Sequence, residues 1–225
     1  MKVLVCGATG MVGQGVLREC LLAEDVSAVT TLGRTPTGQR HPRLREIVHA
    51  DLFELAAIEP ALAGFDACFF CLGMTSSGMS EADYTRMTFD LTLAVAQTLA
   101  RLNPSMTFVY VSGAGADSSE KGPVMWARVR GRTENALLRL PFKSVGVLRP
   151  GIIQPLNGIR SKTGSYRWFY ALSRPLLSPL RRLFPETVLS TQVVGRAMLA
   201  LARHGASPAV LEAPDISRLG RGIAA

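Results

Sequence analysis

The stretch Val3-Leu-Val-Cys-Gly7-Ala-Thr-Gly10-Met-Val-Gly13-Gln-Gly15 decides how the rest of this 225-residue chain is read. A strand-like run ends at Gly7, a tight turn follows, and a helix is predicted to start near Met11. The free N–H groups of that helix and the positive end of its dipole then face the turn. Such an end suits a pyrophosphate. Gly7 permits the turn, Gly10 removes a Cβ where phosphates must come close, and Gly13 lets helix pack on strand. A glycine pattern alone is a weak signal, but this one lies between a predicted strand and a predicted helix, the context that identifies a dinucleotide site.

Outward from this stretch, short β-branched runs alternate with longer segments of helical period, the pattern of a parallel sheet covered on both faces. Strands are predicted at 2–6, 28–32, 46–49, 67–72, 107–112 and 144–148, with a seventh candidate at 209–212. Helices are predicted at 12–22, 81–102, 123–140 and 192–203, Pro123 suiting a first helical turn. The expected fold is therefore α/β, a doubly wound Rossmann-type sheet of strand order 3-2-1-4-5-6, with 7 as an optional edge. Length and the lack of a linker or repeat predict one domain over 1–225. Prolines and glycines punctuate residues 149–186, so 150–186 is expected to form a small substrate-side lobe or lid beyond the strand ends.

Hydrophobic residues make up 48% and charged ones 19%, which excludes a disordered chain. The net charge of +8 gathers partly in Arg160, Lys162, Arg167, Arg174, Arg181 and Arg182, a segment without Asp or Glu. No recognition motif accompanies that charge, so nucleic acid is not expected as a partner. Prolines 175 and 179 interrupt a continuous amphipathic helix; the lid reading is preferred, with peripheral membrane contact through 160–184 as its alternative. No apolar run is long enough to span a bilayer, and no secretory signal opens the chain. Four cysteines and no signal predict a reduced, cytoplasmic protein. Cys68 and Cys71 have CxxC spacing, but three residues along a strand point to opposite faces, so two buried small hydrophobes are expected and no metal.

At the end of the second strand Arg34 predicts NADP over NAD, because a guanidinium fits a 2′-phosphate where an acid would bind ribose hydroxyls. Arg40 and Arg43 are neighbouring alternatives. Asp51 and Leu52 are candidates for the adenine, although Asp51 serves equally as an N-cap for 53–58. Gly73 lets backbone approach the cofactor, and His49 reads as a satisfied strand residue.

Together, Gly7/Gly10/Gly13, Gly33-Arg34, Asp51-Leu52, Cys71-Leu-Gly73, Val111-Ser112-Gly-Ala-Gly and Leu148-Arg149-Pro150-Gly151 resemble an atypical short-chain dehydrogenase/reductase. The similarity is to the Tat-interacting-protein-like, NAD-dependent epimerase/dehydratase-like branch, and it runs to about residue 200. It implies cofactor contacts from Gly7, Thr9, Gly10, Met11, Val12, Gly13, Arg34, Asp51, Leu52, Leu72, Gly73 and Arg130. It also implies a catalytic Tyr with a Lys four residues later, preceded by a strand-end Ser.

Here Trp126 stands in the Tyr position and Arg130 in the Lys position, while Ser112 keeps its place. Trp126, Arg130 and Glu134 share one helical face at i, i+4 and i+8, where Glu134 can pair with Arg130. Indole does not titrate in water, and arginine stays cationic, so Arg130 can bind ribose hydroxyls or an anionic substrate but relays no proton. Ser112 and Arg130 are the catalytic candidates. Tyr84, Tyr166 or Tyr170 could replace the phenol, Ser112 with Thr75 could polarise a carbonyl, or Lys121 could approach. The expected function is an NADP-dependent oxidoreductase (NAD as the alternative cofactor) acting on a small carbonyl or alcohol, as a monomer or homodimer. The rival is a catalytically silent NADP(H)-binding regulatory or assembly protein. A hydrolase using Ser112 fares poorly, since the GxSxG elbow is missing.

Overall fold

A computed structural model describes residues 1–159 and 186–222. Seven strands form one sheet: β1 (Lys2–Cys6), β2 (Ala28–Gly33), β3 (Leu44–Val48), β4 (Ala67–Phe70), β5 (Thr107–Val111), β6 (Ser144–Arg149) and β9 (Val210–Glu212). Their order is β3-β2-β1-β4-β5-β6-β9, and every neighbouring pair is parallel. This is the expected doubly wound sheet, with the seventh strand present and lying beside β6. The two remaining strands, β7 (Ile152–Gln154) and β8 (Val188–Ser190), pair in parallel as a separate ladder. That ladder ties together the chain on either side of residues 160–185, on which most of the expected lobe falls. Tyr166, Tyr170 and the basic segment 160–184 thus lie outside the described residues.

Helices α1 (Met11–Leu22), α5 (Thr191–His204) and α6 (Ala213–Gly220) cover one face; α3 (Leu91–Leu102) and α4 (Met125–Leu137) cover the other. The alternation of strand side chains explains the two cores. Val3 and Val5 of β1 join Val16, Leu17, Val194, Met198 and Ile216 on the first face, whereas Leu4 and Cys6 join Leu99, Phe108, Tyr110 and Leu137 on the second. Cys68 belongs to the second core and Cys71 packs against the first, so the CxxC spacing joins nothing. Burial pushes both thiols well above the ordinary value. All four cysteines are free.

Several boundaries differ from the sequence reading. β3 begins two residues earlier than expected, and β4 ends at Phe70 because residues 71–72 leave the ladder to run against the glycine turn. The segment 81–102 is not one α-helix: α2 (Glu81–Thr85) passes into a π-helical turn over Arg86–Asp90 before α3 begins. Pro123 precedes helix α4, whose N-cap is Val124, because Asp117 first folds the incoming loop around its own carboxylate. The short segment expected at 53–58 is a 3-10 turn at Ala56–Leu62, and the β7–β8 ladder and α6 have too few residues to show a period.

Candidate cofactor and active site

The glycine turn is built as its sequence suggests. Gly7 has φ of +81°, in the left-handed region, and a Cβ there would stand 2.8 Å from the Leu72 backbone nitrogen. A Cβ on Gly13 would stand 2.1 Å from the Gly7 carbonyl oxygen, so α1 rests directly on the turn. At Gly10 a Cβ would meet nothing nearer than 3.4 Å; this residue caps α1 without a side-chain hydrogen bond, leaving the first helical N–H groups to face outward. Beside the turn lies a cleft of about 450 Å³ lined by Gly7, Ala8 and Thr9, by Thr31 to Thr35 and Thr37 along the end of β2, and by Leu52 and Leu72. Its polar end, glycine turn and apolar Leu52 and Leu72 fit a dinucleotide of the kind the motif implies.

Arg34 lines this cleft and is exposed. Arg43 is excluded from the same role: its guanidinium donates to the carbonyl oxygens of Leu21, Ala23 and Val26, closing the carboxyl end of α1. Arg40 is exposed and does not line the cleft. Asp51 accepts the Phe53 N–H at 2.9 Å in a local turn; it is not the N-cap expected for 53–58, because the 3-10 turn runs from Ala56 to Leu62 with Leu55 as its N-cap. His49 Nε2 lies 2.7 Å from the Glu54 carbonyl oxygen, a satisfied position.

Because the chain leaves β4 against Gly7, Gly73 comes next to the turn, and there the helical face of α4 arrives. The ring of Trp126 covers Gly115, its Cη2 3.4 Å from where a Cβ would stand. One turn on, the Arg130 guanidinium bridges the carboxyl ends of β4 and β5: Nη2 lies 3.9 Å from a Cβ position on Gly73, and Nη1 4.0 Å from the one on Gly113. Its Nε donates to the Tyr84 hydroxyl at 3.1 Å. Tyr84, the first of the three tyrosines proposed to replace the phenol, is therefore brought to the site, 1% exposed. Helix α2 is also held there by an ion pair, Arg128 to Glu81 at 2.8 Å. Lys121 and Thr75 are exposed on loops.

One turn further, Glu134 corrects the expected pairing. Its carboxylate, 1% exposed, does not meet Arg130; it accepts the Ser112 hydroxyl and takes a two-pronged bond from Arg149, whose Nε lies 3.2 and 3.1 Å from its two oxygens. Arg149 reaches outward to Glu212 at 3.2 Å and to the Ser118 hydroxyl. The Glu134 bond, more than burial opposes it, holds the Arg149 pKa above the ordinary guanidinium value. The Ser112 proton is thus committed, and its oxygen is left as an acceptor. Sequence reasoning missed Arg149 because its partner lies on a different element; the only signal was a cation at the end of the strand beside Ser112. It also missed Gly131, where a Cβ would stand 1.7 Å from the Asp117 carbonyl oxygen, so that the loop after β5 can lie directly on α4.

Among the described residues no helix is long and apolar enough to cross a membrane, and no group of three or more His, Cys, Asp or Glu side chains could hold a metal.

Known proteins are similar to this chain over two thirds of its length or more. The mitochondrial protein FMP52 of Chaetomium globosum is 28% identical over 234 residues, covering 97% of this chain and 96% of its own. Protein HTATIP2 of Rattus norvegicus is 30% identical over 155 residues, 68% of this chain and 62% of its own. Among solved structures, a UDP-glucose 4-epimerase from Thermotoga maritima superposes with a TM-score of 0.69 at 13% identity, covering 99% of this chain and 82% of its own. A short-chain dehydrogenase/reductase from Saccharomyces cerevisiae does so at 0.64 and 14%, with 97% and 98% covered. These two establish the fold. Residues 7–136, from the glycine turn to the end of the Trp126–Arg130–Glu134 face, match the model of the family described as NAD(P)H-binding. With more than half of its length in that match, this chain belongs to the NAD(P)H-binding family.

Proposed function

We propose that this chain is an NAD(P)-dependent oxidoreductase, with NADP(H) preferred, that acts on a small carbonyl or alcohol. The observation that carries the reading is the meeting of Arg130 with the ends of β4 and β5 beside the glycine turn, with Ser112 bonded to Glu134 on the same helical face. The amides from Thr9 to Gly13 would hold the pyrophosphate, Arg34 the 2′-phosphate, and Asp51, Leu52, Leu72 and Gly73 the adenosine and the backbone path between. When bound, the cofactor supplies or takes up a hydride at its nicotinamide ring. The chain's own part is to orient the substrate and handle one proton. In the oxidation direction the substrate O–H proton passes to Ser112 Oγ as the Ser112 proton passes to Glu134 Oε1; in reduction both moves reverse.

Titration by intrinsic fluorescence tests the foundation: NADPH is expected to bind more tightly than NADH, and Arg34→Glu to reverse the order. A panel of small ketones and aldehydes is then screened for NADPH oxidation. Turnover that falls by about 100-fold or more in Glu134→Gln supports the relay. Tight NADPH binding without turnover of any carbonyl would favour the silent regulatory reading, to which the replacement of a phenol by Trp126 gives weight. The cytoplasmic location expected from the cysteines stands against the word "mitochondrial" in the fungal relatives' names, and cell fractionation decides between them.

A further inference from the structure

Arg130, like Arg43, differs from the ion-paired arginines by what faces it. Arg149 has Glu134 and Glu212, Arg128 has Glu81, Arg196 has Glu19 and Arg203 has Asp25. Among the described residues, no carboxylate oxygen lies within 4.0 Å of Arg130. Glu134, one turn along the same helix, is spoken for by Ser112 and Arg149. The partners of Arg130 are phenols. Tyr84 accepts from Nε, and Tyr110 on β5 lies close enough to feel its charge: burial pushes the Tyr110 pKa up to about 12, against the pull of Arg130. A phenol with that value is neutral in the physiological range, so Tyr110 does not balance the guanidinium. Burial works to lower the Arg130 pKa, but Tyr110, Tyr84 and Glu134 together outweigh it, and the group stays cationic.

The geometry also has a direction. With Nε bonded to Tyr84, Nη2 is nearest the exposed Gly73 and the guanidinium lies over Gly113, with Nε, Cζ and Nη1 each 4.0 Å from a Cβ position there, so that the Nη1–Nη2 edge has no hydrogen-bond partner among the described residues. A neutral ribose could accept from this edge but would leave its charge unbalanced. A carboxylate satisfies both, since its two oxygens match the two parallel donors of the fork.

We propose that the Nη1–Nη2 edge of Arg130 binds the carboxylate of the substrate, so that this site takes small 2-oxo or 2-hydroxy acids rather than neutral carbonyl compounds, with Tyr84 as the positioning residue that fixes the fork. The acid group rests on Arg130 alone; its oxo or hydroxy neighbour rests on the oxidoreductase reading above. Two measurements keep these apart.

Calorimetric titration of the cofactor-free and the NADPH-bound full chain uses pyruvate and phenylpyruvate as probes, with acetone and phenylacetone as uncharged counterparts. The oxo acids are expected to bind at least about tenfold more tightly than their counterparts. Arg130→Met should remove that advantage, bringing the oxo acids down to the level of the ketones. Arg130→Lys should retain part of it, and Tyr84→Phe should weaken the acids several-fold with the charge intact. Equal binding of acids and ketones by the wild type overturns the proposal. So does acid binding that survives Arg130→Met while NADPH binding falls, which would give Arg130 to the ribose. Should Arg130→Met lose its cooperative melting transition, Arg130→Lys and Tyr84→Phe decide by the same comparison. Acid binding without hydride transfer in the wild type would leave the anion site standing and sink the oxidoreductase reading instead.

Discussion

A methyl group on Gly13 would stand 2.1 Å from a backbone oxygen of the turn beneath it, with no flexible side chain to yield. Gly13→Ala is therefore expected to cost roughly 1–3 kcal/mol in urea unfolding, and to weaken NADPH binding because α1 must lift off the turn. Glu134 is a different kind of residue, a buried carboxylate that neutralises Arg149. Glu134→Ala leaves that guanidinium, 12% exposed, with only the outer carboxylate of Glu212, and should cost about 3–5 kcal/mol. The double variant Glu134→Leu/Arg149→Met should be milder than the sum of its singles, which a thermodynamic cycle reads directly. At this scale the glycines were legible in the sequence because their role is local: a turn and the helix resting on it lie within seven residues. The Trp126–Arg130–Glu134 face was legible for the same reason, helical spacing. Who meets that face was not, since Tyr84, Ser112 and Arg149 come from three other elements, and the expected Arg130–Glu134 pair gave way to a partner better placed for both carboxylate oxygens.

Helix α4 begins where Asp117 lets it. The Asp117 carboxylate accepts the Ser119 hydroxyl and N–H and the Gly122 N–H, and these bonds, the Ser119 hydroxyl foremost, hold its pKa below the ordinary carboxylate value. A lowered folded value means that the contribution is present above the unfolded pKa and is lost as pH falls through the folded one. Amide exchange at Ser119 and Gly122, corrected for intrinsic rates, should thus stay slow near neutrality and quicken only below the usual carboxylate range. Asp117→Asn should make both amides fast and indifferent to acid. The loop so folded explains why Pro123 is not in the first turn of α4. The π-helical turn at Arg86–Asp90 is the other departure at this scale. Its apolar period reads like any amphipathic helix, and only the packing of α2 against α4, through Arg128–Glu81 and Arg130–Tyr84, shows what the irregularity is set against.

The sheet joins the two ends of the chain. Ile216, on the last described helix, is fully buried in the same core as Val3, Val5 and Val16 beneath the glycine turn. Ile216→Ala is expected to cost roughly 2–5 kcal/mol, with far- and near-UV signals still moving in one transition; two separate transitions would show that the C-terminal helix belongs to a unit of its own. The sequence by itself determined the alternation of strands and helices and the glycine turn, because both follow from periodicity and from glycines that act on near neighbours. It also placed Trp126, Arg130 and Glu134 on one helical face. The tertiary structure decided the pairings of charge: Arg43 onto the end of α1, Arg149 onto Glu134, and Arg130 onto phenols rather than a carboxylate. Those choices depend on which side chains the strand ends bring within a few ångströms of one another, a distance that no spacing along the chain contains.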